Sequence, residues 1–263
     1  VNPRGDGYTR PANAWRYAVL GGVLPTSVVV DGRRYVHVET LKHDFFAATG
    51  LYRGPEGLAV LKLGRSTDFL GLPMGWLGEI LESHEWALYA RASGISGVPA
   101  LIRRVGRNGL LRTYIPGHPL GRREAVSDTF CDELLAILRR LHERHIAYVD
   151  LNKRENILVG DDGKPHLIDF QIAVWLPPVG WRGWWPFRFL LARLQEADYY
   201  HWLKHKRRLR PDLLTEEERQ RLSRLSIWVR LHRAIARPLT YLRRHMLQRL
   251  GRSGGAVPGS SAK

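Results

Sequence analysis

The sequence predicts an α+β protein of two unequal lobes, a small antiparallel sheet carrying one helix and then a larger helical half. Strand-like runs punctuated by Gly and Pro fill residues 35–63 and 101–115. Helical periodicity replaces them after Pro116-Gly117. One polar stretch, YVDLNKRENILVGDDGKPHLIDFQ from Tyr148 to Gln171, spaces Asp150, Asn156 and Asp169 around short apolar strands.

Residues 1–34 read as an N-terminal extension, because turn formers interrupt any period. RYVHVETL, DFFAATGLY and LAVLKLG are strand-like, and RGPEG supplies the hairpin loop between the last two. Residues 75–93 are helical and stop before Gly94. LIRRVG and LLRTYI form a second hairpin around Arg107-Asn108-Gly109, where Asn-Gly favours positive φ. In the second half, Thr129 and Asp132 give a T-x-x-D capping signal. Phe130, Leu134, Leu138, Leu141 and His145 share the face of the helix that follows. Thr215 before Glu216, Glu217 and Glu218 starts a further helix with a capping box. Pro238 should break or kink that helix, and the Gly/Ser-rich residues 253–263 read as a disordered tail.

Asp150 precedes a short loop, Asn156 ends it, and Asp169 follows a hairpin turning at 161–164. Taken singly, each is ordinary turn chemistry. Together they can supply a proton acceptor and two oxygen ligands for magnesium, as phosphoryl transfer from a nucleoside triphosphate requires.

The stretch resembles the catalytic loop and metal-binding segment of the protein-kinase-like superfamily, whose bilobal fold the two halves match. The resemblance spans residues 35–205 and implies an ATP- and Mg2+-dependent phosphotransferase. It implies that Asp150 orients the acceptor hydroxyl and receives its proton, and that Lys153 contacts the transferring phosphate. Asn156 and Asp169 would ligate magnesium. Lys62 in AVLKLG resembles the lysine of the V-A-I-K pattern, which holds the α- and β-phosphates; an edge-strand lysine is the alternative. Its helix partner is expected within 79–93, Glu85 first and Glu82 second. RTYIPGHPL resembles the hinge, with Tyr114 or Ile115 offering backbone hydrogen bonds to adenine. Asp198 resembles the helix aspartate that braces the catalytic loop. LKHDFFAATG stands where a glycine-rich loop covers the phosphates, so the amides of Lys42, His43 and Asp44 would approach the nucleotide without a glycine signature. The implied domains are the extension 1–34, a nucleotide-binding lobe 35–117, a catalytic lobe 118–252 and the tail 253–263.

Asp150 and Asn156 lie six positions apart, one more than in protein kinases. Tyr148-Val149 replaces the usual His-Arg, Gln171 replaces glycine after Asp-Phe, and no Ala-Pro-Glu follows. These departures point away from regulated protein kinases, and the chain looks similar to the bacterial lipopolysaccharide-core sugar kinases. The implied acceptor is a hydroxyl, on an envelope glycolipid sugar, a small molecule or a protein Ser/Thr. A pseudokinase scaffold would keep the fold without turnover; the retained Lys62, Asp150, Asn156 and Asp169 argue against it.

A hydrophobic fraction of 44% over 263 residues suffices for a core and excludes global disorder. The single Cys131 excludes a disulfide framework and a zinc cluster. The net charge of +16 is uneven: His201 to Arg252 holds 15 Lys or Arg against 4 Asp or Glu. Such a field attracts phosphates, anionic lipid or nucleic acid, or simply solvates a helical face. Charge alone speaks for nucleic acid, which is not an expected partner. WLPPVGWRGWWPFRFLLARL mixes Trp and Arg, as membrane-interface segments do and as a packed lobe also could. No basic-then-apolar leader is seen, and no apolar run reaches the roughly 18 residues of a membrane span. The expectation is a cytoplasmic protein with peripheral contact at the inner face of the membrane.

Overall fold

The computed structural model describes residues 18–19, 23–67, 75–177, 180 and 184–223. The chain divides into one compact unit of residues 1–213 and a second of residues 214–263.

Among the described residues of the first unit, one antiparallel sheet holds β1 (Ser27–Val30), β2 (Arg33–His43), β3 (Ala47–Gly54), β4 (Gly57–Gly64), β5 (Leu101–Val105) and β6 (Gly109–Thr113). Their order is β1-β2-β3-β4-β6-β5. Helix α1 (Gly75–Ala92) lies in the chain between β4 and β5 and ends before Gly94, whose φ of 77° closes it as expected. Successive side chains of a strand point to opposite faces. Ala59 and Leu61 of β4 therefore enter a core with Val30, Tyr35, Tyr52 and Leu111, while Lys62 points to the other side.

Two local expectations change. Residues 27–30, placed in the extension, form β1 and pair with β2 from Ser27↔Val36 to Val30↔Arg33. Asp31 and Gly32 between them both have positive φ, the geometry of a two-residue hairpin turn that Val-Val-Val-Asp-Gly encodes. In the β5–β6 turn, positive φ falls at Gly106 rather than at Asn108 or Gly109. Asn108 instead ties the turn to β4: its Nδ2 donates to the Gly64 carbonyl (2.8 Å) and its own carbonyl accepts from the Gly64 amide (2.7 Å).

The helical half begins with β7 (Gly117–Pro119) and α2 (Phe130–Glu143). After it come β8 (Ile146–Ala147), a short 3-10 turn at Arg154–Asn156, β9 (Ile157–Gly160), β10 (Pro165–Leu167) and β11 (Val174–Trp175). Helix α3 (Trp185–Leu209) follows. β9 pairs with β10 and β7, and β11 pairs with β8. Gly117 (φ 147°) permits the β7–β9 pairing, since a Cβ there would come within 2.2 Å of the Val159 carbonyl oxygen. In α2, Phe130, Leu134, Leu138 and Leu141 are fully buried as the period predicts. His145 lies past the helix end with φ 58°, because α2 stops at Glu143. Thr129 has helical dihedrals and makes no side-chain cap bond, so the T-x-x-D signal is unused. The Trp202 indole donates to the Cys131 carbonyl (2.7 Å) and fixes α3 against α2.

In the second unit, α4 (Glu216–Ser223) begins with the predicted capping box: Glu218 N donates to Thr215 Oγ1 (3.2 Å), and Thr215 N donates to the Glu218 carboxylate (3.0 Å). The expected kink at Pro238, the tail 253–263 and the basic residues past Ser223 lie outside the described residues, as do residues 1–17. Among the described residues no helix is long and apolar enough to cross a membrane.

Candidate active site

Lys62 Nζ donates to Glu85 Oε2 at 2.6 Å and to Asp169 Oδ1 at 3.1 Å. Of the two glutamates left open by periodicity, Glu85 is the partner. Gly78 brings α1 onto the end of β4: a Cβ there would lie 2.1 Å from the Arg65 carbonyl oxygen. Burial alone would depress Lys62, but Glu85, Asp169 and Glu82 surround it and hold the ammonium charged, above the usual lysine range. Asp169 is the converse. Burial pushes it up, yet Lys62 outweighs burial and holds its carboxyl below the usual range.

Glu82, one turn before Glu85, is 1% exposed, and neither carboxylate oxygen has a hydrogen-bond partner. Burial first, then Glu85 and Asp169, push it up to about 8 against the pull of Lys62. Three carboxylates thus lie around one ammonium; burial raises Glu85 as well as Glu82, and Glu82, which lacks a hydrogen bond to Lys62, is held protonated near neutral pH. A carboxyl raised from 4.5 in this way adds stability that is full below pH 4.5 and lost as pH climbs toward 8. Glu82→Gln should therefore flatten the fall in thermal stability between pH 5 and pH 9. At pH 8.5 it should be the more stable protein by on the order of 2 kcal/mol. Identical pH profiles for wild type and variant would show that Glu82 is ionised in both states.

The catalytic-loop candidates are joined directly. Asp150 forms an ion pair with Lys153 and accepts a hydrogen bond from Asn156 Nδ2 at 2.9 Å. Burial is the main reason that its carboxyl is raised; Lys153 and Asn156 oppose the shift. The bonds to Asp150 use the Asn156 amide nitrogen, so its Oδ1 is the atom that could serve as a metal ligand. The β9–β10 register pairs Ile157 with Leu167, and the Ile168 amide donates to the Asn156 carbonyl (3.0 Å). Asn156 and Asp169 therefore flank the open end of one hairpin. Two hard oxygen donors, one ionised, suit Mg2+, which takes its other positions from water and phosphate. Among the described residues no group of three or more Asp, Glu, His or Cys could hold a metal unaided, so phosphate oxygens would complete the shell.

The loop's shape comes from α3. Asp198 is fully buried and accepts from the Tyr148 and Val149 amides, each at 2.7 Å, while His142 Nε2 lies 3.1 Å from the same carboxylate. These bonds hold Val149 at φ 67°, a conformation costly for a β-branched residue. His205 Nε2 contacts the Leu151 carbonyl (2.7 Å) and Lys204 Nζ donates to Asn152 Oδ1 (2.8 Å). Neither was singled out from sequence, although His205 follows Asp198 by seven residues and so shares its helix face.

Tyr148, in place of the usual histidine, stacks edge-on to Phe170 (5.2 Å) and donates its hydroxyl to the Ile168 carbonyl. Tyr89, one turn past Glu85 on α1, packs on Phe170 (4.8 Å) and accepts from the Asp169 amide (3.1 Å). The positive φ of this segment falls at Asp169 (64°) and not at Gln171. At the hinge, the Tyr114 amide donates to the Leu58 carbonyl (3.3 Å).

No protein-family model matches the chain, and no curated protein matches it. Among solved structures it is similar to the Rio2 kinase of Chaetomium thermophilum in an ADP/Mg2+-phosphoaspartate complex, with 16% identity and a TM-score of 0.51. That alignment covers 68% of this chain and 58% of the other. A second structure of Rio2 kinase from that organism aligns with 16% identity and a TM-score of 0.48, over 65% of this chain and 56% of the other. The chain thus spans less than two thirds of the length of either. The likeness shows the fold: a curled antiparallel sheet with one helix and a helical lobe, in the protein-kinase-like arrangement.

Proposed function

We propose that the chain is an ATP- and Mg2+-dependent phosphotransferase acting on a hydroxyl. The observation that carries this is Lys62, buried and bonded at once to Glu85 and Asp169, with Asp150 and Asn156 joined on the adjoining loop. Lys62 would hold the α- and β-phosphates, and the Ile115 backbone, beside the engaged Tyr114 amide, would meet the adenine. Magnesium, when bound by Asn156 and Asp169, neutralises phosphate oxygens. Asp150 would orient the acceptor hydroxyl and take its proton, and Lys153 would meet the transferred group. The Rio2 kinase of similar fold is described with ADP and Mg2+, which supports a nucleotide in this cleft.

For the acceptor we favour a sugar of an envelope glycolipid, reached from the inner face of the membrane. Trp184 and Trp185 at the start of α3 are 69% and 77% exposed, beside exposed Phe189, Leu190 and Arg188. Trp settles at headgroup depth, and Arg draws anionic lipid to a chain of charge +16. Incubation with γ-labelled ATP, Mg2+ and an envelope glycolipid, a free sugar or a protein should place label in the glycolipid. Asp169→Ala should lower transfer by at least about 100-fold. Label in protein or free sugar would overturn the acceptor, and no transfer to any acceptor would overturn the enzyme.

A further inference from the structure

The hairpin between β2 and β3 occupies the position where kinase-like folds cover the nucleotide phosphates, but its backbone is already committed. The Asp44 carboxylate accepts from the Phe46 amide (2.9 Å) and the Ala47 amide (3.0 Å), and the Asp44 amide donates to the Ala47 carbonyl (3.0 Å). Buried Arg65 fixes the tip, donating to the Phe45 carbonyl (2.8 Å) and lying 4.0 Å over the Phe45 ring. A loop tied in this way has few amides left to offer a phosphate.

The register supplies a replacement. Lys42 pairs with Thr49, and Thr49 pairs with Lys62. Directly opposed residues share a face, so Lys42 stands on the cleft side of the sheet in one row with Lys62. Two strand spacings separate them, roughly 9–10 Å at the backbone. The Lys42 side chain is 67% exposed, and its ammonium rests 3.0 Å from Asp44 Oδ2.

We propose, on the basis of the phosphotransferase function above, that Lys42 grips the terminal phosphate of a nucleoside triphosphate, a task that glycine-rich loops perform with backbone amides. Lys62 lies deeper in the sheet and suits the inner phosphates. Lys42, two strands nearer the hairpin tip, suits the outermost one and favours triphosphate over diphosphate. In the free protein Asp44 occupies the ammonium, and an arriving phosphate takes its place.

Titration of the full chain with ATP·Mg2+, ADP·Mg2+ and adenosine tests this. Lys42→Met should weaken ATP about tenfold or more, change ADP by less than about threefold and leave adenosine unchanged; Lys42→Arg should restore most of the loss. Asp44→Asn keeps the amide-accepting oxygen and removes the competing charge. It should tighten ATP a few-fold, and only while Lys42 is present. Equal ATP affinity in wild type and Lys42→Met, or an equal loss for adenosine, would overturn the role of Lys42 and leave the enzyme standing. A folded wild type that binds no nucleotide would overturn both.

Discussion

Asp150→Asn should lower phosphate transfer by about 10²–10⁴-fold while leaving ATP affinity within a few-fold. The substitution keeps the size of the side chain and an oxygen able to accept from Asn156 Nδ2, so the loop retains its 2.9 Å bond. What is lost is the charge facing Lys153 and the basic carboxylate that, in the proposed reaction, would receive the acceptor proton. Because burial raises the Asp150 carboxyl, the acid limb of kcat should lie above the usual aspartate range, with rate falling as pH drops through it. Steady-state kinetics against ATP, with a separate binding titration, checks both parts. A large loss of ATP affinity with unchanged kcat would assign Asp150 to nucleotide binding instead.

Asp198→Ala should destabilise the protein by about 3–5 kcal/mol, the range for removing one partner of a buried charged network. The carboxylate satisfies two buried amides at 2.7 Å and faces His142, and water has little access to replace it. Without it, Val149 has no reason to remain at φ 67°, and the turn carrying Asp150 relaxes. For a chain of this size the melting temperature should fall by about 6–15 °C. Activity should also drop at temperatures where the variant is still folded, because loop geometry is lost before the fold. A variant within about 1 kcal/mol of wild type would show that α3 merely neighbours the loop.

The chemistry-bearing residues are the most legible part of this chain, for a physical reason. Hard oxygen donors, an ammonium and a turn must recur at set spacings, whatever packs around them. Asp150, Asn156 and Asp169 stand out on that ground, whereas Lys62 and its partner, Glu85 before Glu82, come from the resemblance; in the structure Lys62 bonds Glu85 and Asp169, and Asp150 bonds Asn156. Local punctuation was equally readable at Gly94 and in the Thr215–Glu218 box, where the signal and its partner lie within four residues. Tertiary contacts override such signals elsewhere. Thr129 forgoes its cap, and Asn108 spends its side chain and carbonyl on Gly64 instead of on a positive-φ turn. The Tyr89–Phe170–Tyr148 stack and the grip of His205 and Lys204 join residues more than 20 positions apart, which no local period reports. The same contacts explain the departure at Tyr148: an aromatic hydroxyl there both packs on Phe170 and caps Ile168.

Magnesium-dependent transfer of the γ-phosphate of ATP, measured for wild type and for Asp169→Ala with and without a chelator, tests the central claim most directly. Asp169 is bonded to Lys62 and flanks the open end of the hairpin with Asn156, so in the proposed site donor-phosphate binding and metal binding would both converge on it. The account predicts transfer by wild type that chelation abolishes, and transfer by Asp169→Ala lower by at least about 100-fold even with excess Mg2+. Transfer indifferent to chelation, or retained in Asp169→Ala, would contradict it.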